Sequence, residues 1–270
     1  MQPDDYSFLC QILAEGSGLS LGPGKEYLIE SRLQPVAQTV GVADVSGLVR
    51  ELRLRRDRTI ERSVCEAMTT NESLFFRDGA PFELLKQRVF PELARARQAT
   101  RTLRIWSAAA STGQEAYSIA ITRTLDAPTL IGYKVEIVGT DLSRAALERA
   151  RAGVFTHFEV QRGLPIAVLV KCFKKVGDGW QANEDLRQQV AFRELNLLHD
   201  FGHLGTFDVI FCRNVLIYFD QPTKALVLGR LARALAPDGY LFLGGAETVL
   251  GISEAFERVE GEKTSVYRRR

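Results

Sequence analysis

Two apolar segments are each followed by polar side chains that could bind a ligand. The first ends near residue 108 and is followed by the small residues 109–113 and by Glu115. Small side chains let a ligand approach the backbone, and a helix beginning near Gln114 would offer unpaired N–H groups. The second ends at Asp141, whose carboxylate could accept hydrogen bonds from both ribose hydroxyls of a nucleoside. These residue types indicate a site for a nucleoside cofactor.

A third apolar segment, residues 207–219, contains the polar pair Arg213-Asn214. Burying such a pair without partners is unfavourable, so we expect it at a strand end or in a pocket. Tyr218, close by, could shape that pocket and hold a substrate group. Purely structural roles are also open, because Asp141 could cap the following helix and Asn214 could lie in a loop. These features do not separate methyl transfer from hydride transfer.

The elements that would position these residues form an alternating pattern from about residue 102. Short apolar segments cover 103–111, 135–141, 207–214 and 239–245, and helical stretches cover 114–125, 143–152 and 222–235. This alternation is typical of buried parallel strands joined by crossover helices. It predicts a doubly wound α/β sheet, whose carboxyl strand ends share one edge. Residues 236–239 (Ala-Pro-Asp-Gly) predict a turn before the last strand.

Two regions depart from this pattern. Residues 1–70 predict helices over 4–16, 25–40, 45–56 and 59–68, with Pro35 expected to kink or interrupt the second helix. Residues 153–190 predict a small antiparallel insertion, with a hairpin at Gly177-Asp178-Gly179. We therefore expect a helical domain over 1–70, a linker over 71–101, and a cofactor-binding domain over 102–270 that contains the insertion.

Composition narrows the class of protein. The chain has 270 residues, of which 46% are hydrophobic and 25% charged, as in globular proteins with a large core. No apolar run approaches the roughly 20 residues that span a bilayer, so we expect a cytoplasmic protein that does not insert into membranes. A net charge of +2 does not suggest nucleic-acid binding. The four cysteines form no CxxC pair, and His199 and His203 lack a third ligand, so no metal site is expected.

The charge is unevenly distributed along the chain. Six arginines lie at positions 50, 53, 55, 56, 58 and 62, against acids at 51, 57 and 61. Such a run is most often a solvated helix face. It could also be a docking surface for an acidic partner, and composition alone leaves both interpretations open.

Ordered motifs along nearly the whole chain resemble the CheR family of chemoreceptor glutamate methyltransferases. The matching segments are 70–77 (TNESLFFR) with Phe82, 104–120 (RIWSAAASTGQEAYSIA), 139–143 (GTDLS), 147–155 (LERARAGVF), 192–198 (FRELNLL), 207–220 (FDVIFCRNVLIYFD) and 244–248 (GGAET). The departures are mild: Ser73 replaces a usual Thr, and Gly-Gln-Glu-Ala-Tyr-Ser stands at 113–118 where family members show GEEPYS.

The resemblance implies a class I methyltransferase fold with a helical N-terminal domain and a small β-subdomain. It also implies S-adenosylmethionine as cofactor, with S-adenosylhomocysteine as product. The implied cofactor contacts are Asn71, Ser73, Arg77, Glu115, Asp141, Asn196, Leu197, Asn214 and Val215. By the same resemblance Glu115 lies near the cofactor's amino group, Asp141 near its ribose, and Arg77 and Tyr218 nearest the transferred methyl group.

The implied activity is esterification of glutamate side chains in the helical cytoplasmic region of chemoreceptors. Candidate receptor-docking residues on the N-terminal helices are Lys25, Arg32, Arg50 and Arg53. We expect a monomer. Three alternatives stay open: an NAD-dependent oxidoreductase, although the GxGxxG turn it requires is missing; a related methyltransferase serving another sensory pathway; and a non-catalytic receptor-binding adaptor.

Overall fold

The computed structural model describes residues 1–55 and 57–270, so the predicted helix end at Arg56 lies outside the described residues. Backbone proximity divides the chain into two compact units. The smaller unit comprises residues 1–70 and 217–226, and the larger comprises 71–216 and 227–270. Residues 71–101, predicted as a linker, belong to the larger unit, and residues 217–226 belong to the smaller unit although they come from the predicted cofactor-binding domain.

The smaller unit is built on four helices. They are α1 (Pro3–Ser17), α2 (Glu26–Val40), α3 (Val45–Arg55) and α4 (Arg58–Met68). Each helix buries one apolar stripe, as the spacing of Leu9 and Leu13 on α1 illustrates. Local signals set the helix ends: Gly18 adopts φ +75° after α1, and the Asp57 carboxylate accepts the Thr59 N–H, at 2.7 Å, before α4.

Of the two expectations for Pro35, a kink or an interruption of the second helix, the interruption is wrong, because α2 is continuous from Glu26 to Val40. Pro35 is exposed, while Ile29, Leu33 and Ala37 are fully buried on the same helix. Burial of that stripe offsets the roughly 3 kcal/mol that an internal proline costs a helix. Tertiary packing therefore overrides the local signal.

The larger unit contains a seven-stranded sheet with flanking helices. Its strands are β1 (Thr102–Ala108), β2 (Lys134–Asp141), β6 (Val190–Glu194), β7 (Phe207–Cys212), β8 (Leu235–Leu243), β9 (Phe256–Arg258) and β10 (Val266–Arg269). The helices are α5 (Ala80–Leu84), α6 (Phe90–Ala96), α7 (Gln114–Asp126), α8 (Arg144–Ala152), α9 (His157–Gln161), α10 (Ile166–Cys172), α11 (Glu184–Arg187) and α12 (Gln221–Ala234), the last of which begins in the smaller unit.

The strand order is β6-β2-β1-β7-β8-β10-β9. The first five strands run parallel, whereas β10 is antiparallel to both β8 and β9. The chain moves outward from β1 in one direction through β2 and β6, then in the other through β7 and β8. The order therefore reverses between β1 and β7, and beyond the carboxyl ends of such strands an open α/β sheet forms a binding crevice. The predicted doubly wound sheet is confirmed.

Residues 236–239 do not form the predicted turn before the last strand. They lie inside β8, opposite Asp208 alone, as an irregularity in its pairing with β7. Pro237 cannot donate a ladder hydrogen bond, which favours a bulge at this point. Arg97 fastens the bulge by contacting Asp208 and Asp238, at 2.8 and 2.6 Å.

The predicted antiparallel insertion is present as a separate three-stranded sheet. It comprises β3 (Val154–Thr156), β4 (Phe173–Val176) and β5 (Gly179–Ala182) in the order β3-β5-β4. The hairpin between β4 and β5 turns at Gly177, which adopts φ +56°. Over residues 1–55 and 57–270, no helix is both long and apolar enough to span a membrane.

Candidate cofactor-binding site

The loop after β1 has an unusual backbone. Ala109 and Ser111 adopt φ +59° and +53°, in the left-handed region that non-glycine residues rarely occupy. Gly113 follows at φ +98°, where a Cβ would lie 3.0 Å from the Cβ of Ala150. Strain of this kind persists only where surrounding contacts hold it, and it is concentrated at functional sites.

Asp141, at the end of β2, holds this loop in place. Its Oδ2 accepts the Ser111 N–H at 2.8 Å, and its Oδ1 accepts the Ser143 N–H at 2.9 Å. Ser143 itself caps α8 by accepting the Ala146 N–H at 3.2 Å. Capping and loop anchoring are thus divided between Ser143 and Asp141, and the Asp141 carboxylate is largely buried at the strand-end crevice.

Glu115 and Arg213 form a buried ion pair that links the ends of β1 and β7. Arg213 Nη1 lies 3.2 Å from Glu115 Oε2, and the Ser107 hydroxyl donates to Glu115 Oε1 at 2.7 Å. The Arg213 side chain is 1% exposed and that of Glu115 is 12% exposed. Arg213 also contacts Asp78 Oδ2 at 2.5 Å and donates to the Arg77 carbonyl at 3.1 Å.

Burial dominates the electrostatics of Glu115. Loss of solvation raises the pKa of its carboxyl, although the Arg213 charge and the Ser107 hydroxyl act in the opposite direction. A cationic group bound beside Glu115 would stabilise the ionised form. The position therefore suits an ammonium ligand.

A second carboxylate organises the loop after β7. Glu247 is buried and accepts backbone N–H groups from Asn214 at 2.8 Å, Val215 at 2.9 Å and Gly244 at 2.7 Å. Asn214 adopts φ +58°, and its Oδ1 is a buried acceptor that has no partner among the described residues. A buried acceptor of this kind is free to accept a hydrogen bond from a bound ligand or from water.

The loop after β6 carries Asn196 and Leu197. Asn196 Oδ1 accepts the Leu198 N–H at 2.9 Å and so closes a local turn. From α12, Arg230 donates to the Leu197 carbonyl at 3.4 Å and also to the Leu198 carbonyl. This guanidinium holds the loop at the sheet edge.

The segment before α5 lies against the loop after β1. The Ser111 hydroxyl donates to the Asn71 carbonyl at 2.9 Å, and the Phe76 N–H donates to the Ser118 hydroxyl at 2.9 Å. Phe75 is fully buried, 4.9 Å from the Phe155 ring centroid. Ser73 and Arg77 are half-buried. Within the described part of the chain, the Arg77 guanidinium has no hydrogen bond or ion pair.

All the predicted cofactor residues belong to the larger unit, and they lie either after its strand ends or in the segment that borders them. Tyr218 differs, because its segment belongs to the smaller unit, where its carbonyl accepts the Ser20 N–H at 2.9 Å. The phenol hydroxyl of Tyr218 has no partner within residues 1–55 and 57–270. Its catalytic role stays a prediction.

The predicted docking residues divide into two kinds. Arg32 donates to the carbonyls of Met68 and Thr69, at 2.7 and 3.2 Å, and so caps α4. Arg53 lies 3.3 Å from Asp5, whereas Lys25 and Arg50 are exposed and form no ion pair with any residue that the structure describes. Their docking role stays a prediction.

Sequence reasoning missed two organising residues. Arg213 was expected in a pocket but not as the centre of an ion-pair network, and Glu247 was expected only as part of a motif. The signal for Arg213 was a charge inside an apolar segment, which burial makes costly unless it is paired. Glu247 gave no local signal for its role, because Asn214 and Val215, whose backbone it holds, belong to a different loop. Among the described residues, no group of three or more His, Cys, Asp or Glu side chains is placed to hold a metal.

The strand order and the site together define a class of protein. A sheet of order β6-β2-β1-β7-β8-β10-β9, with a buried acid after β2 and a strained loop after β1, is the class I S-adenosylmethionine-dependent methyltransferase fold. The residues present fit that cofactor: Glu115 suits an ammonium group, Asp141 a ribose diol, and the orphaned Asn214 Oδ1 a donor.

Comparison with known proteins identifies the family. Residues 71–265 match the family described as "CheR methyltransferase, SAM binding domain", and residues 4–69 match "CheR methyltransferase, all-alpha domain". Chemotaxis protein methyltransferase 1 of Pseudomonas aeruginosa is 41% identical over 98% of this chain and 97% of its own length. Chemotaxis protein methyltransferase 1 of Vibrio cholerae is 38% identical over 98% of this chain and 96% of its own. The chain belongs to the CheR methyltransferase family and is an S-adenosylmethionine-dependent protein methyltransferase.

Proposed function

We propose that this protein transfers the methyl group of S-adenosylmethionine to glutamate carboxylates in the cytoplasmic helices of chemoreceptors. The products are glutamate methyl esters and S-adenosylhomocysteine, and the reaction takes place in the cytoplasm during chemotactic adaptation. The observation that carries the proposal is that three of the predicted cofactor contacts, Glu115, Asp141 and Asn214, are braced by buried contacts at one sheet edge. A non-catalytic adaptor would have no need to keep that set.

The chemistry requires alignment and no general base. An unperturbed glutamate has a pKa of about 4.3, so the attacking carboxylate is already ionised at neutral pH. The cofactor supplies a methyl group on a positively charged sulfur, which is a strong electrophile. The protein has to hold carboxylate oxygen and methyl carbon in line and to exclude water. It must also avoid over-stabilising a negative charge that disappears as the ester forms.

Arg77 and Tyr218 are proposed to orient the reacting groups. The Arg77 guanidinium is half-buried at the site edge and has no protein partner among the described residues, which supports a role in binding a carboxylate. That carboxylate belongs either to the substrate or to the cofactor. Tyr218 would place the attacking oxygen through one neutral hydrogen bond, which does not lock the carboxylate in its ground state.

The remaining predicted contacts are proposed to hold the cofactor. Glu115 would bind its ammonium group and Asp141 its ribose hydroxyls. The other members of the set are Asn71, Ser73, Asn196, Leu197, Asn214 and Val215. Support comes from their shared position at the strand-end crevice and from the Asn214 acceptor that lacks a protein partner.

A basic face of the smaller unit, comprising Lys25, Arg32, Arg50 and Arg53, is proposed to dock the acidic receptor helix. Lys25 and Arg50 are exposed and unpaired among the described residues, so they are suited to direct contact. Arg32 and Arg53 already contact Thr69 and Asp5, so they would contribute mainly by shaping that face. Attraction between exposed charges is screened by salt, so receptor binding should weaken as ionic strength rises.

A transfer assay tests the proposal directly. Wild-type protein is incubated with methyl-labelled cofactor and receptor cytoplasmic fragments at two ionic strengths. Label released by mild base, and mapped to glutamate, is the expected result. Label on lysine or on nucleic acid, or no transfer to any fragment, would refute it.

The same assay separates the proposed roles. Tyr218→Phe should lower kcat with little change in KM for the cofactor. Arg77→Ala should raise KM for whichever reactant carries the bound carboxylate. If both variants keep the wild-type kcat and KM values, the two assignments fail while the proposed reaction stands.

A further inference from the structure

A pocket of about 440 Å³ adjoins the cofactor-binding site within the larger unit. Its walls come from Asp78, from the loop after β8, and from the antiparallel pair β9 and β10 with the turn between them. Pockets of this size accommodate small ligands or a few side chains of a peptide. The pocket contains none of the predicted cofactor contacts.

The pocket shares two walls with the network described above. Asp78 lines it and contacts Arg213, which in turn contacts Glu115. Glu247 also lines it and holds the backbone of Asn214. A group bound in the pocket therefore lies next to the residues proposed to hold the cofactor.

The pocket's charges favour an anion. Its two acids already have partners in the chain: Asp78 contacts Arg213 at 2.5 Å, and Glu247 accepts backbone N–H groups from Asn214, Val215 and Gly244. Its two cations, Arg258 and Lys263, are exposed and have no ion pair within residues 1–55 and 57–270. The hydroxyls of Thr248, Thr264 and Ser265 add further donors to the same lining.

We propose that this pocket binds a second carboxylate of the substrate polypeptide, an acidic side chain about one helical turn from the glutamate that is methylated. This inference rests on the proposed function. On a helical substrate, residues three or four positions apart lie on the same face, so a neighbouring acid can enter the pocket while the target glutamate faces the cofactor. Arg258 and Lys263 thus select the sequence around the methylated residue.

Charge reversal tests the pocket without disturbing the cofactor residues. The Arg258→Glu/Lys263→Glu variant is compared with Arg95→Glu/Lys134→Glu, which makes the same charge change on exposed residues outside the pocket lining. Because all four side chains are exposed, both variants should fold with the wild-type Tm. The substrate is a receptor fragment that the wild type methylates, alongside versions whose neighbouring acids are replaced by the amides Gln or Asn.

The KM for the fragment should be at least about fivefold higher for the pocket variant than for wild type. This is the scale expected when two exposed ion pairs are lost and replaced by repulsion. Its kcat and its KM for the cofactor should stay within twofold of wild type. Replacing the neighbouring acids should raise KM for wild type but lower it for the pocket variant, because the introduced carboxylates repel those acids. Equal KM values for the pocket and control variants, or additive effects, would overturn the inference.

A binding measurement separates this inference from the proposed reaction. A fluorescent helical peptide with glutamates four positions apart is titrated with wild-type and pocket-variant protein in the presence of S-adenosylhomocysteine. The proposed role of the pocket is supported if the peptide binds the variant more weakly than it binds wild type. A peptide with one glutamate replaced by glutamine should likewise bind wild type more weakly than the original peptide does. If wild type methylates no fragment, that result alone refutes the proposed function. If both proteins bind the peptide equally well, the proposed role of the pocket is refuted.

Discussion

Replacing Arg213 by methionine should destabilise the larger unit by about 3 kcal/mol, because it leaves Glu115 buried without its ionic partner. Methionine keeps an apolar stem of similar length, so the change removes the charge and its hydrogen bonds more than the packing. The pair with Asp78 adds little to this figure, since the Asp78 side chain is 54% exposed. The loss is a large part of the ~5–15 kcal/mol that stabilises a typical domain.

The pH dependence of the loss follows from Glu115. Burial raises the pKa of this carboxyl in the folded state, so at pH values between the unfolded and folded pKa the folded state binds a proton that the unfolded state has released. Stability then falls as pH rises above the unfolded pKa of about 4.3. Without Arg213 the folded pKa of Glu115 rises further, so the difference in stability between variant and wild type should widen as pH rises above the unfolded pKa of about 4.3.

Urea unfolding followed by tryptophan fluorescence measures the loss of stability in the larger unit. The chain has two tryptophans, Trp106 and Trp180, and both belong to the larger unit. In a Trp180→Phe background, fluorescence of the fully buried Trp106 follows unfolding of the main sheet. With a slope of about 3 kcal/mol per molar urea, the midpoint should fall by about 1 M.

A matched control is Arg144→Met, which removes an arginine from an ion pair that is 62% and 38% exposed and should cost at most about 1 kcal/mol. Adding Glu115→Gln to Arg213→Met should make the protein more stable than Arg213→Met alone, because it removes the buried carboxylate that has lost its ionic partner. The reasoning is refuted if Arg213→Met shifts the midpoint no more than the control does. It is equally refuted if the double variant loses the sum of the two single losses.

Two further predictions concern cofactor binding. Affinity for S-adenosylhomocysteine should weaken as pH falls through the raised pKa of Glu115, because only the ionised carboxylate attracts an ammonium group. Calorimetry over a series of falling pH values should show this slope in wild type and a flatter one in Glu115→Gln. Gly244→Ala should weaken the affinity for S-adenosylhomocysteine at least about tenfold. The added Cβ would lie 2.7 Å from Glu247 Oε2 and would displace the carboxylate that holds the backbone of Asn214 and Val215. Gly245→Ala is the control, since nothing lies within 4 Å of its Cβ, and equal affinities for the two alanine variants would contradict the prediction.

The sequence by itself determined the alternation of strands and helices in the larger unit. Short apolar segments such as 135–141 and 207–214 contain β2 and β7, because a strand buried on both faces needs a continuous apolar run. The same rule placed Asp141 at a strand end. The ordered motifs narrowed the class to the CheR family, which composition and periodicity alone could not do.

Tertiary structure decided how the site is held together. Arg213 contacts Glu115 and Asp78, which lie 98 and 135 positions away in the chain, and local patterns carry no information about such pairings. The unbroken helix through Pro35, the bulge at 236–239 and the grouping of residues 217–226 with the helical unit have the same origin. In each case burial and ion pairing between distant segments outweigh local conformational preference, so only the folded chain shows the result.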